Sequence, residues 1–191
     1  IYVCQVAEIG KTPGSNKLYL NLGQNKFKES AEEYRVDFKG YSTHVLFFDY
    51  DRDGDLDLYL LNHNVKSPEV FAQSEKRTQA DPSGDKLFKN LLSEGKKGFV
   101  DVTESTGIYS SVLGFGLGVA AEDFNGDGWL DLYVSNDFTE NDYLYLNNQD
   151  GTFREALQEM ISSTSRYSMG NDAADLNGDG FPEIFTTDML P

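Results

Sequence analysis

The chain holds a single cysteine, Cys4, so no internal disulfide can form. A reducing cytosol would account for that, and so would an envelope protein held together by metal in place of disulfides. Cys4 itself reads as a small apolar strand residue. No apolar run approaches the roughly 18 residues that a membrane helix needs, which excludes a spanning segment of that kind. Bases are scarce: 16 Lys and Arg stand against 32 Asp and Glu, a formal net charge of −16. Such a chain repels phosphate backbones, and nucleic acid is excluded as a partner. There is no Asn-x-Ser/Thr sequon, which weighs against a eukaryotic glycoprotein. No targeting signal is recognisable at either end, and the first residue is Ile1, so the chain reads as a processed or partial piece of its parent. What the sequence does have is apolar residues at 39% and aromatics at 13%, too many for a disordered chain.

The acids are not scattered. Three segments match: Asp49-Tyr-Asp-Arg-Asp-Gly-Asp-Leu-Asp57, Asp123-Phe-Asn-Gly-Asp-Gly-Trp-Leu-Asp131 and Asp175-Leu-Asn-Gly-Asp-Gly-Phe-Pro-Glu183. A second motif interleaves with them, at Leu18–Asn21, Leu87–Asn90 and Leu144–Asn147, each followed by a turn and a Phe (Phe27, Phe99 and Phe153). Between Gly114 and Ala156 the order within one unit is clear. An apolar run, 116–124, ends in the acidic loop. Leu130, Leu132 and Val134 then alternate with the period of a strand. A polar loop, a second alternating run at 143–146, an Asp-Gly turn at Asp150-Gly151 and a short strand at 152–156 follow.

This order predicts an all-β chain of four-stranded antiparallel blades, with the acidic loop joining the first strand of each blade to the second. Repeated radially, such units make a β-propeller. The units run over 1–40 (partial), 41–104, 112–160 and 165–191 (partial), a single segment of about three to four blades. Because the chain starts and stops inside blades, the expectation is a piece of a larger propeller.

Spacing gives the loops their chemistry. Oxygen donors at positions 1, 3, 5 and 9, with Gly at 6, wrap a hard cation in a short loop. The side-chain ligands are then Asp49, Asp51, Asp53 and Asp57 in the first loop; Asp123, Asn125, Asp127 and Asp131 in the second; and Asp175, Asn177, Asp179 and Glu183 in the third. Position 7 would offer the backbone carbonyls of Asp55, Trp129 and Phe181. Two carboxylates about 4 Å apart repel by about 4 kcal/mol at an effective dielectric of 20, so the converging acids need a cation to stay charged. All-oxygen donors disfavour zinc and copper, and their number and flexibility favour Ca2+ over magnesium, at about three sites. An EF-hand is excluded: its position 12 needs Glu, and here it is Leu60, Val134 or Thr186. The plainer reading is a set of solvated Asp-Gly turns, which three loops with matching offsets disfavour.

These residues resemble the FG-GAP or VCBS repeats of integrin α-chain propellers and of many bacterial surface proteins. The stretches Phe47–Leu60, Ala121–Val134, Ser168–Asp172 and Thr187–Pro191 are most similar to the bacterial relatives of cartilage acidic protein. The resemblance implies a propeller of usually seven blades, calcium in the loop between first and second strands, and export to the cell surface. In the bacterial relatives it further implies a lipoprotein or adhesin at the outer membrane. It implies binding of a protein or glycan partner, and not catalysis.

In an up-and-down blade the calcium loops share one rim, and Gln5–Asn16, Asn62–Asp85 and Asn136–Asp142 lie on the opposite one. The long 62–85 loop carries Lys66, Lys76 and Arg77 in an acidic chain, and is either a partner-binding loop or an ordinary solvated insertion. No catalytic constellation is recognisable. His44 reads as a strand residue and His63 as a surface contact. Gly10-Lys11-Thr12 lacks the first Gly of a phosphate loop, its place taken by Gln5. Two rival functions remain open. A polysaccharide-degrading surface enzyme would use this propeller as a non-catalytic scaffold. A carbohydrate module would need exposed rim aromatics, of which Phe71 and Phe138 are the candidates.

Overall fold

The computed structural model describes residues 1–6, 14–64, 81, 83–138 and 140–189. The Gly10–Thr12 stretch, Lys66, Phe71, Lys76, Arg77, Leu190 and Pro191 lie outside them, as does most of the long 62–85 loop.

The described residues are all-β, apart from three one-turn helices. The first sheet has three strands, β1 (Tyr2–Val3), β2 (Lys17–Asn21) and β3 (Phe27–Glu29). Two four-stranded sheets follow. One is β4 (Ser42–Phe48), β5 (Asp57–Asn62), β6 (Lys86–Asn90) and β7 (Phe99–Asp101). The other is β8 (Gly116–Glu122), β9 (Asp131–Asn136), β10 (Tyr143–Asn147) and β11 (Phe153–Glu155). A two-stranded sheet closes the chain, β12 (Ser168–Ala174) and β13 (Glu183–Asp188). Each sheet is open, and every pairing is antiparallel between strands adjacent in sequence. These are propeller blades: β1–β3 align with second to fourth strands, and β12–β13 with first and second.

The blades stack face to face, so both faces of the middle strands β5 and β9 are buried. Along β5, Leu58 and Leu60 pack toward the first sheet with Leu18 and Val36, while Tyr59 and Leu61 pack toward the third with Leu132 and Val134. Along β9, Tyr133 turns the other way, into a third cluster with Leu144, Leu157 and Ile184 of the last sheet. The alternation read from the sequence is therefore not core against solvent. It is one interblade core against the next, and all six residues of β5 and of β9 are buried.

Close approach of the inner strands dictates two glycines. A Cβ on Gly118 would lie 2.7 Å from the Asn171 backbone nitrogen, and one on Gly116 would lie 2.4 Å from Leu61 Cδ1. Each inner strand carries a register shift at the same place, between Ser42 and His44, Gly116 and Gly118, and Ser168 and Gly170. Such bulges bend a strand and increase its twist.

The three helices, α1 (Ala31–Tyr34), α2 (Thr103–Thr106) and α3 (Leu157–Met160), follow the outermost strands. The last residue of each of those strands is acidic and accepts the first helical amide: Glu29 from Ala31, Asp101 from Thr103 and Glu155 from Leu157, at 2.7–3.0 Å. That satisfies a donor that a helix start otherwise leaves unpaired.

Candidate metal centre

Each acidic loop joins the innermost strand of its sheet to the next, and all three fold alike. The position-1 carboxylate turns back over the loop to accept the position-6 amide: Gly54 to Asp49 at 3.1 Å, Gly128 to Asp123 at 2.7 Å, Gly180 to Asp175 at 2.8 Å. Those glycines have φ of 87–90°, which a side chain would strain. The position-9 carboxylate accepts the position-2 amide: Tyr50 to Asp57 at 3.2 Å, Phe124 to Asp131 at 3.0 Å, Leu176 to Glu183 at 2.8 Å. Glu183 thus takes the place of the two aspartates, despite the Pro182 before it.

The repeated Leu-x-x-Asn motif completes the frame. The amides of Asn90 and Asn147 donate to the second oxygens of Asp57 and Asp131, both at 2.8 Å. Their side-chain nitrogens reach the position-8 carbonyls of Leu56 and Leu130. Asn147 also donates to Tyr50 O of the neighbouring blade's loop at 2.8 Å. A position-9 carboxylate is thereby oriented through both oxygens, each with lone-pair capacity left over.

Among the described residues, three carboxylates converge at the first loop alone: Asp49, Asp51 and Asp57 each bring an oxygen within 4.8 Å of the others and could hold a metal ion. Asp49 Oδ1, Asp51 Oδ1 and Asp55 Oδ1 are buried without a hydrogen-bond partner. A buried carboxylate oxygen left unpaired is costly, and a cation removes that cost. Burial, reinforced by the charges of Asp51 and Asp55 and only partly offset by the Asn90 and Tyr50 amides, pushes the Asp57 carboxyl up to about 7. Asp131 rises to about 6 for the same first reason, with Asp127 and Asp123 adding to it. The donor set is hard oxygen throughout, and it fits calcium.

Asp53 stands aside from the converging group. Its Oδ2 accepts from Ser93 Oγ at 2.6 Å and lies 3.3 Å from Lys89 Nζ. Asp55 Oδ2 accepts the Ser93 amide at 2.7 Å. In the second loop Asp127 accepts from Asn125 and Gln149, and in the third Asn177 donates to Glu183 at 2.6 Å. Trp129 and Phe181 hold position 7, and their amides donate to Asp127 and Asp179. Position 4 is left-handed in all three loops. It is Gly126 and Gly178 in two of them and Arg52, at φ 58°, in the first. Arg52 spends that strain on a contact: its guanidinium lies 4.8 Å from the Trp129 ring and donates to Gly128 O.

On the opposite rim the structure shows a polar network that spacing does not reveal. Asp85 is buried and accepts from Tyr59 Oη at 2.9 Å and from the Asn62 amide at 2.9 Å. Asp142 repeats this with Tyr133 at 2.6 Å and Asn136 at 2.8 Å, and also accepts from Ser168 Oγ of the next blade. Asn16 takes the same place in the first sheet, accepting from Gln5 and donating to Ser42 Oγ of the next blade. The signal was present: an Asx residue directly before each third strand, paired with a Tyr inside each second strand. His63 is not a surface contact. It is half-buried, edge-on to Phe115 at 5.1 Å, with Nδ1 2.6 Å from Asn64 O. His44 lies in β4, and its side is exposed. Phe138 is partly exposed and packs on Phe115 at 5.1 Å.

Stacked four-stranded blades with a repeated acidic loop at one rim define a β-propeller repeat protein. A family model described as an FG-GAP-like repeat matches residues 3–60 and 123–186. This is more than half of the chain, which belongs to the FG-GAP-like repeat family. No curated protein matches it.

Proposed function

We propose that the chain is a calcium-stabilised β-propeller segment of a cell-surface or secreted protein, acting in protein or glycan binding and assembly. The observation that carries the calcium part is the trio of orphaned buried oxygens at the first loop, beside carboxylates that amides already orient. The stretches similar to bacterial relatives of cartilage acidic protein support a place at the bacterial outer membrane. No described helix is long and apolar enough to cross a membrane. Calcium here is structural and the role is not catalytic. The partner docks on the rim opposite the acidic loops, where the second-to-third-strand connections gather.

Ion counting by native mass spectrometry tests the reading. About three calcium ions bind in the presence of excess magnesium, and Asp57→Asn and Asp131→Asn each remove one. A chain that takes up no calcium, or exchanges it freely for magnesium, refutes it.

A further inference from the structure

The three loops are not chemically equal. The first has Asp51 at position 3, where the others have Asn125 and Asn177, and Asp55 at position 7, where the others have Trp129 and Phe181. It is the most acidic of the three, and a lysine on the facing strand lies in ion-pair reach of two of its carboxylates. Lys89 sits on β6 directly before Asn90; the matching residues before Asn147 and Asn21 are Leu146 and Leu20. Lys89 Nζ lies 2.5 Å from Asp51 Oδ2 and 3.3 Å from Asp53 Oδ2, with its side chain 24% exposed and that of Asp51 15%. Asp51 thus gives one oxygen to the ammonium and keeps the other, Oδ1, buried and unpartnered.

We propose that Lys89 is a built-in counter-ion of the first loop, which keeps that loop formed without a metal and weakens its hold on a divalent cation. The proposal rests on the calcium reading above. The repeat shows why: the acid at position 3 and the lysine on the facing strand occur together in the β4–β7 blade, and both are replaced by neutral residues in the β8–β11 blade. An ammonium within ion-pair reach of two acids of the loop repels an incoming divalent cation, and it offsets the mutual repulsion of those acids when the cation is absent. It also draws Asp53 out of the group formed by Asp49, Asp51 and Asp57. The first loop therefore differs from its repeats in affinity, and loses less of its shape without metal than it would without Lys89.

Calcium isotherms and metal-free melting temperatures of the full chain test this, with Lys89→Leu copying the neighbouring blade. The Asp131→Asn, Glu183→Gln background assigns the calorimetric change to the first loop. Lys89→Leu tightens calcium binding there roughly tenfold. It lowers the melting temperature in chelator by roughly 2–4 °C. Both effects shrink once Asp51→Asn is also present, because the charge that Lys89 answers has then gone. Lys89→Gln moves both readouts in the same direction, and an effect of Leu without one of Gln would mark packing and overturn the counter-ion. Unchanged isotherm and melting temperature in Lys89→Leu, or equal effects with and without Asp51→Asn, overturn it also. A wild-type chain that binds no calcium at all would instead sink the calcium reading.

Discussion

Asp57 and Asp131 have both oxygens fixed by backbone amides, so their position does not depend on an ion. These ligands were legible in the sequence because an oxygen-donor loop leaves a strict pattern of offsets. Asp85 was not, because a single Asx before a strand has many ordinary uses. Its carboxyl is pushed up to about 7, chiefly by burial, against the pull of the Asn62 amide and the Tyr59 hydroxyl. The folded state therefore prefers the neutral acid, whereas an unfolded Asp titrates near 3.9. The stabilisation is complete below about pH 4 and is lost as pH rises through about 7. Urea unfolding in saturating calcium shows this decline, and Asp85→Asn flattens it while keeping the fold. The amide is already tolerated at this position in the first sheet, as Asn16. An undiminished slope in Asp85→Asn assigns the titration elsewhere.

Strands and turns were well marked at the scale of the element. Alternation located β9 and β10, and Asp150-Gly151 located the hairpin before β11, where Gly151 has φ 83°. The one-turn helices were not legible, because four residues are too few to show a period of 3.6. Nor were the inner-strand bulges, since one extra residue leaves no compositional mark. Small residues mark two of the inner strands, β8 and β12. Gly118 faces the backbone of Gly170 and Asn171, which cannot swing aside as a side-chain end could. Gly118→Ala therefore costs about 1–3 kcal/mol in denaturant unfolding. An alanine variant as stable as wild type refutes the close contact of β8 with β12. Asn147→Ala removes a bond to Tyr50 O and a second to Leu130 O, and costs about 1–3 kcal/mol. It also weakens calcium at the second loop, as a titration of the variant shows, because the turn after β10 that supports Asp131 loses the acceptor for the Gln149 amide.

The blade order was legible across the whole molecule because the unit repeats, and one register argument applied to every copy. The character of the core was not, since alternation alone does not tell a strand with one wet face from a strand sandwiched between two blades. The long 62–85 loop, read from the sequence as either a partner-binding loop or a solvated insertion, falls mostly outside the described residues. What holds such a stack together, in a chain with one cysteine, is the pair of large interblade cores and, on the present account, the ions at one rim. Sites with Kd of about 10⁻⁴–10⁻³ M suit calcium-rich surroundings. At tenfold saturation each adds about 1.4 kcal/mol, and three independent sites add about 4 kcal/mol. That is a large share of a typical stability of about 5–15 kcal/mol.

Thermal unfolding of the chain in calcium, in magnesium and in chelator measures this contribution most directly. The melting temperature is expected to be higher in calcium than in chelator by roughly 8–16 °C, with little of the rise reproduced by magnesium. Identical curves in all three would contradict it, and would leave the acidic loops as turns without a metal.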